Sequence, residues 1–455
     1  MQNPLFPIVI LLCISMFFIK REYKVAILYF SLTVLFSVPN TYPGGKFLTL
    51  PMCFFLSEIP NYKSIFHHLI RSKLIIPISV MVLATFVLLF FSPHYHSFLG
   101  FCKIFYKEII CKHMYLIYGF ICAVNYKSLM PFVKITYYSF LFITFLGVLN
   151  LITRHADFLD IAMQGGNWND ILEDMGGKYE FQTRFRVQAT FFNAFCYGYI
   201  CVTNLFFFIY AYGKKMINKK QFYISLACSL FGIIFCGCRT IFVVALASYF
   251  VYIMFSESVS KKIQYLIISF FIALFSYEFI KPVEDIVDRT LTAFDSNYVM
   301  EGGGSSIDSR KIQYARVFWY IRNNMLFGRG LGFFKEDLGY KEGRAGMVDR
   351  DLHGLEGVLL SRLLERGIVG AIFYFLFFGI VLYIILEYRG QDRKTTSFAV
   401  SILTAYFLFA NMTGELASFP PTFLFAGISI GIMYHNKKWH EFTYLARKHF
   451  KLLNK

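Results

Sequence analysis

The sequence predicts an all-α, polytopic integral membrane protein with about 12–13 transmembrane helices, and three observations carry that prediction. Apolar residues make up 57 % of the 455 and aromatic residues 20 %, while charged residues supply only 16 %, against roughly one quarter in a soluble domain. Mean hydropathy is +0.53. The apolar residues also fall into blocks of about 15–25 separated by short basic stretches, which is the length that crosses a hydrocarbon core. Together these exclude a soluble enzyme, a disordered chain and a disulfide-rich secreted protein.

Taken in order, the blocks lie near 5–19, 25–38, 47–56, 74–92, 108–124, 132–152, 187–212, 221–236, 240–255, 263–280, 368–386, 396–411 and 420–434. The first has no basic region ahead of it and is followed by Lys20, Arg21 and Lys24, so no cleavable signal peptide is expected. The third is ten residues long and contains Pro51. It crosses only if flanking residues such as Phe47 and Ser57 extend it, which leaves the count at twelve or thirteen.

If the blocks alternate sides, one set of connections is 20–24, 57–73, 125–134, 213–220, 256–262, 387–395 and the tail 435–455. This set holds 23 of the 45 Lys and Arg but 6 of the 28 Asp and Glu, so the entire net charge of +17 lies on one side. The positive-inside rule makes that side cytoplasmic, and no nucleic acid is needed to explain the charge. The tail carries Trp439, Phe442, Leu445 and Phe450 among its basic residues and is expected to rest on anionic lipid headgroups. The ten cysteines lie between positions 13 and 238, mostly inside apolar blocks, so they read as small apolar residues rather than a disulfide framework.

Chain 1–455 thus reads as a single transmembrane domain with two long loops, 153–186 and 281–367, on the non-cytoplasmic side. Long loops in a compact fold are usually functional. The second has helical signals of its own: Val283, Ile286, Val287, Leu291 and Phe294 recur at helical spacing, and Asp308 is placed to cap a helix running to about Phe327.

Within the second loop, Ser309 to Lys335 holds Arg310, Lys311, Arg316, Arg322, Arg329 and Lys335 with no acidic residue. Guanidinium groups match phosphate oxygens in paired hydrogen bonds, and a lipid-linked diphosphate is the natural anion at a membrane surface. The whole loop nevertheless balances 13 basic against 13 acidic residues, so internal ion pairing is the competing explanation. Arg239, in the short turn Gly237-Cys238-Arg239, is a charge near the membrane that faces a cavity or snorkels to the interface. Arg184 and Arg186 open the block 187–212 on the same side. His353 stands at the start of a stretch leading into a span, among Gly354 and Gly357, where it can act as base or hydrogen-bond donor toward a substrate; Arg362 points the other way on that helix. Asp349-Arg350-Asp351 and the His353/Glu356 spacing invite a metal reading, but solvated loop acids are the commoner case, so no metal is expected. Gly328-Arg329-Gly330-Leu331-Gly332 reads as a tight turn closing the preceding helix.

Four of these places resemble the bacterial O-antigen polymerase and O-antigen ligase family of membrane glycosyltransferases. Arg186-Val187-Gln188-Ala189-Thr190-Phe191-Phe192-Asn193 is similar to the family's arginine after its first long periplasmic loop. Gly237-Cys238-Arg239-Thr240 is similar to its Ser-Arg turn, with Cys238 in place of serine. Arg310 followed by Asn324 to Gly332 resembles the second-loop arginine and its glycine turn, without the proline. His353 and Leu359 to Gly370, which includes Glu365, resemble the last motif, with Gly354 in place of asparagine.

The resemblance implies transfer of a glycan from undecaprenyl diphosphate to an acceptor glycan at the periplasmic face of the bacterial inner membrane. No nucleotide sugar, cofactor or metal is implied. His353, Arg310 and Arg239 are then the expected catalytic residues, with Arg186, Arg184, Arg316, Arg329 and Glu365 binding substrate. The donor is already activated, so arginines need only neutralise the leaving diphosphate while His353 handles the acceptor hydroxyl. The expected function is O-antigen or surface-polysaccharide polymerase, with a chain-length regulator protein as a further partner. The alternatives are a ligase that uses the lipid A core as acceptor, and a flippase for the same lipid-linked glycan.

Overall fold

A computed structural model describes residues 5–35, 49–95, 97–124, 129–155, 158, 186–191, 193–256, 259–279, 281, 283–284, 287–288, 306–339, 349–352, 355, 357–415 and 418–453. The described residues form helices joined by short turns. The N-terminal part comprises α1 (Phe6–Ser15), α2 (Arg21–Thr33), α3 (Leu50–Glu58), α4 (Tyr62–Arg71), α5 (Ile75–Phe90), α6 (Phe98–Phe105), a π-helical turn (Tyr106–His113) and α7 (Tyr115–Ala123). The central part comprises α8 (Leu129–Thr153), α9 (Ala194–Gly213), α10 (Lys219–Phe235), α11 (Arg239–Ser256) and α12 (Val259–Phe279). After these come α13 (Ser306–Ile321), α14 (Val358–Glu387), α15 (Arg393–Thr413) and α16 (Phe419–Leu453).

The sequence marks several of the helix starts. Asn193 accepts the Phe195 and Cys196 N–H groups at the head of α9, Asn218 and Gln221 form a reciprocal capping box on α10, and Asp392 accepts the Thr395 N–H on α15. Among the described residues five helices, α8, α9, α11, α14 and α15, are long and apolar enough to cross a membrane, or six if the bent pair Leu50–Arg71 and Ile75–Phe90 is one span, which makes the chain an all-α membrane protein. Of the other apolar blocks, those at α3 and α10 form helices of 9 and 17 residues, while those near 263–280 and 420–434 fall in the longer α12 and α16.

Aromatic side chains fill the interior. Tyr29, Phe132, Phe207, Phe398 and Phe425 interlock through ring contacts, and the Tyr29 hydroxyl donates to Asn204 at 2.7 Å, so its one polar atom is satisfied inside the core. Helices α7 and α16 approach backbone to backbone: a Cβ on Gly119 would lie 2.0 Å from Leu424 O, and one on Gly427 would lie 2.0 Å from Leu116 O. Small residues allow this contact where lipid provides no hydrophobic drive between helices.

Polar contacts sort the connections onto two ends of the bundle. At one end Arg21 and Lys24 pair with Glu58 at 2.7 and 3.0 Å, Lys73 with Glu387 at 2.7 Å, and Lys214 with Asp392. There too Arg393 donates to Phe255 O at 3.0 Å, and His68 meets Tyr434 at 3.2 Å. At the other end Ser92 donates to Leu331 O at 3.1 Å, Val187 N–H to Phe235 O at 3.1 Å, and Arg310 to Met412 O at 2.9 Å. The first set joins the basic connections 20–24, 57–73, 213–220 and 387–395 to one another at one end.

The helix expected from Asp308 to about Phe327 instead spans Ser306–Ile321. It stops early because the chain turns at Asn324, whose N–H bonds Ile321 O, and the glycine-rich segment that follows docks against α14. Apart from its edges, the loop 153–186 lies outside the described residues, as do 289–305 and 340–348 of the second loop.

Candidate functional site

Arg186 and the turn that carries Arg239 meet at one corner of the end opposite the basic connections. Val187 N–H bonds the last carbonyl of α10, Phe235 O, and this lays the Arg186 side chain along Gly237, with its Cγ 3.4 Å from where a Cβ would sit. The Arg186 guanidinium lies against the Phe195 ring. Arg239 is the first residue of α11 and is half-buried. Helix α11 packs antiparallel on α15, since Arg393 at the start of α15 bonds Phe255 near the end of α11. Arg239 therefore lies at the C-terminal end of α15.

Arg310 comes to the same helix end from α13. Its guanidinium donates to Met412 O at 2.9 Å, a favourable position for a cation because the last carbonyls of a helix carry partial negative charge. The backbone at Gly357, just before α14, approaches Asn411 O. The C-terminal turn of α15 thus gathers α11, α13 and α14.

Beneath this turn lies an ionic network that the sequence reading missed. Glu415 accepts from Lys112 of the π-helical turn and from the Tyr406 hydroxyl at 2.9 Å, and it pairs with Arg362 at 3.4 Å. Glu108 pairs with Arg366 at 2.9 Å and stands 4.0 Å from Lys112. Three cations thus face two carboxylates, and every member is mostly buried. Burial pushes the Glu415 carboxyl up, but Lys112 and then Arg362 outweigh it and hold the group down to about 2. A signal was present in the sequence: Glu108 and Lys112 sit four apart at the edge of an apolar block, and Glu415 lies between two others.

The glycine-rich turn has a structural task. Helix α14 breaks at Gly367, where φ is 61° and ψ −162°, and the break releases backbone groups from their helical partners. Residues 325–329 replace those partners: Ile368 N–H bonds Met325 O at 2.9 Å, Val369 N–H bonds Leu326 O at 3.0 Å, and Arg329 N–H bonds Leu364 O at 2.8 Å. Irregular backbone inside a membrane protein survives where protein re-satisfies it in this way.

The remaining expected site residues are placed as follows. Arg316 donates through Nε to Asp349 at 2.6 Å, and Tyr320 donates to the same oxygen at 2.9 Å. Burial raises the Asp349 carboxyl, and the Arg316 and Tyr320 hydrogen bonds more than offset this, holding it below the usual carboxylate range. Arg316 also lies over the Trp319 ring, so internal ion pairing accounts for its position. Arg329 is exposed, with its guanidinium over the Phe333 ring. The Glu365 carboxylate accepts the Phe334 N–H at 3.3 Å, which ties the turn Phe333–Glu336 to α14. Arg184 and His353 lie outside the described residues.

The structure therefore brings Arg186, Arg239 and Arg310 to one end of the bundle and engages Arg316 with a carboxylate. Guanidinium groups in general suit a multiply charged anion, whose oxygens they meet in paired hydrogen bonds. No protein-family model matches the chain. No curated protein matches it either.

Proposed function

We propose that the chain is a membrane glycosyltransferase, an O-antigen or surface-polysaccharide polymerase that transfers undecaprenyl-diphosphate-linked glycan onto an acceptor glycan. One observation supports this reading: Arg186, Arg239 and Arg310, far apart in sequence, share the end of the bundle opposite the basic connections. In this reading that end faces the periplasm, the basic end faces the cytoplasm, and the chain crosses the bacterial inner membrane twelve or thirteen times.

Arg186, Arg239 and Arg310 hold the diphosphate, neutralising the charge that grows on the leaving group as the glycosidic bond to phosphate breaks. His353 orients or deprotonates the acceptor hydroxyl that attacks the anomeric carbon. Neither step requires a metal, because the leaving group's charge is met by guanidinium groups.

The test is deletion of the gene, with surface glycan examined by gel and lipid-linked intermediates extracted in parallel. A polymerase leaves a single repeat unit on the lipid A core, since attachment continues while growth stops. Absence of any attached glycan, with long polymer on undecaprenyl diphosphate, would assign the ligase reaction instead. Single units trapped on the cytoplasmic leaflet would assign a flippase.

A further inference from the structure

We infer that α4 is an interfacial helix that binds the anionic headgroups of the leaflet at the basic end of the bundle. The inference is independent of the proposed enzymatic activity. Three tethers lay α4 along that end: Glu58 just before it pairs with Arg21 and Lys24, His68 within it meets Tyr434, and Lys73 just after it pairs with Glu387. The helical stretch from Leu50 to Arg71 meets the apolar helix α5 at 101°. Helix α4 therefore runs across the end of the bundle, whereas α5 runs along it.

At 100° per residue the ten side chains of α4 divide into three stripes. Ile65, His68 and Leu69 face the bundle, Leu69 fully buried and His68 on the Tyr434 hydroxyl. Tyr62, Phe66 and Ile70 form a second stripe and remain 59 %, 51 % and 51 % exposed. Lys63, Ser64, His67 and Arg71 form the third, also exposed.

A helix in water has no use for the second stripe, and a helix crossing lipid has no place for the third. At an interface both are satisfied: the aromatic and aliphatic stripe enters the acyl boundary while the basic stripe meets headgroups. The charge selects which headgroups. From Ile59 to Lys73 there is no acidic residue, and no acidic side chain among the described residues pairs with Lys63 or Arg71. Zwitterionic lipid offers these two cations no net attraction, whereas anionic lipid does.

The test uses the full chain carrying Phe66→Trp, reconstituted in nanodiscs of phosphatidylcholine and phosphatidylglycerol, with bromine on the acyl chains of one lipid or the other. The signal of the three native tryptophans is subtracted using the chain without the substitution. Quenching at position 66 by brominated lipid places the second stripe in the acyl boundary, and stronger quenching by phosphatidylglycerol shows headgroup selection. Lys63→Gln and Arg71→Gln should each lower the local enrichment of phosphatidylglycerol by roughly fivefold. Absence of quenching by either lipid, or equal quenching by both with Lys63 and Arg71 intact, would overturn the inference without reliance on the charge variants.

Discussion

The Arg362 guanidinium on α14 lies 3.4 Å from the Glu415 carboxylate in the turn after α15, and this pairing locks the two helices over the π-helical turn of residues 106–113. A buried ion pair contributes little compared with a well-packed apolar replacement, but removing one partner strands the other charge. Glu415→Ala leaves Lys112, Arg362 and Arg366 facing Glu108 alone and is expected to cost about 3–5 kcal/mol, while Arg362→Ala leaves Glu415 on Lys112 and should cost less. Thermal unfolding of the purified protein in detergent measures this. The exposed Arg322 is the matched control, and a midpoint for Arg362→Ala no lower than for Arg322→Ala would show that the pair carries no stability.

The same carboxylate gives stability a pH dependence. Glu415 sits at about 2 in the folded chain against an ordinary 4.5, so folding binds fewer protons at this group than unfolding does. Its contribution is complete above pH 4.5 and declines as pH falls toward 2. The groups facing it are Lys112, Arg362, the Tyr406 hydroxyl and, further off, Glu108. Unfolding midpoints measured on the acid side should fall more steeply for the native chain than for Glu415→Gln. Parallel curves would remove Glu415 as the titrating group.

Backbone at the α14 break supplies a prediction independent of charge. At Gly367 the positive φ combines with an approach that would put a Cβ 2.3 Å from Leu326 O, and a Cβ on Gly328 would lie 2.6 Å from Leu364 O. Gly367→Ala is therefore expected to destabilise by more than the roughly 1–3 kcal/mol of backbone strain alone, because the 325–329 turn must also move away. Limited proteolysis should then cut within 322–332 at lower protease concentration than in the native chain. An unchanged cleavage pattern would mean that the turn is held by other contacts.

How much of this was legible in the sequence depends on which interaction placed each group. Apolar blocks and cap residues such as Asn218 act locally, and the helices follow them. Arg239 stood out as a charge near the membrane and Arg310 as the head of a basic run with no acidic residue, and both lie at the same helix end. The partnership of Arg362 with Glu415 joins residues 53 positions apart through tertiary packing, and the sequence showed only that Arg362 pointed away from His353. It points into the buried network, which local spacing does not reveal. The glycine turn was legible as a turn, but its docking on α14 was not, because nothing local marks Gly367 as a break.

The proposed orientation can be tested at the two sets of end contacts. Tags placed in 213–220 and 387–395, which are joined through Lys214 and Asp392, should both be protected from externally added reagents in intact cells. Tags at residue 330 should be reachable once the outer membrane is opened. Labelling of position 330 only after inner-membrane lysis would reverse the orientation and remove the arginine site from the periplasm.

Arg310 and Arg316 lie six residues apart on α13, less than two helical turns, and different outcomes are expected of their substitution. Arg316 is held by Asp349 and Tyr320, so Arg316→Ala should lower stability while leaving glycan chain length per folded molecule near normal. Arg310 donates to a backbone carbonyl at a helix end where Arg239 also lies, and a diphosphate is a stronger acceptor than a carbonyl for the same fork of donors. Arg310→Ala and Arg239→Ala should each reduce chain growth about ten- to a hundredfold, the equivalent of roughly 1.5–3 kcal/mol for one charge-assisted contact, with membrane expression intact. Lysine should rescue only in part, since it keeps the charge and loses the paired geometry. His353→Ala should cost about 10²–10⁴-fold if the imidazole takes the acceptor proton. Polymer of normal length in both Arg310→Ala and Arg239→Ala would end the assignment of these two arginines to the diphosphate whatever His353 does, because neither charge would then bear on the leaving group.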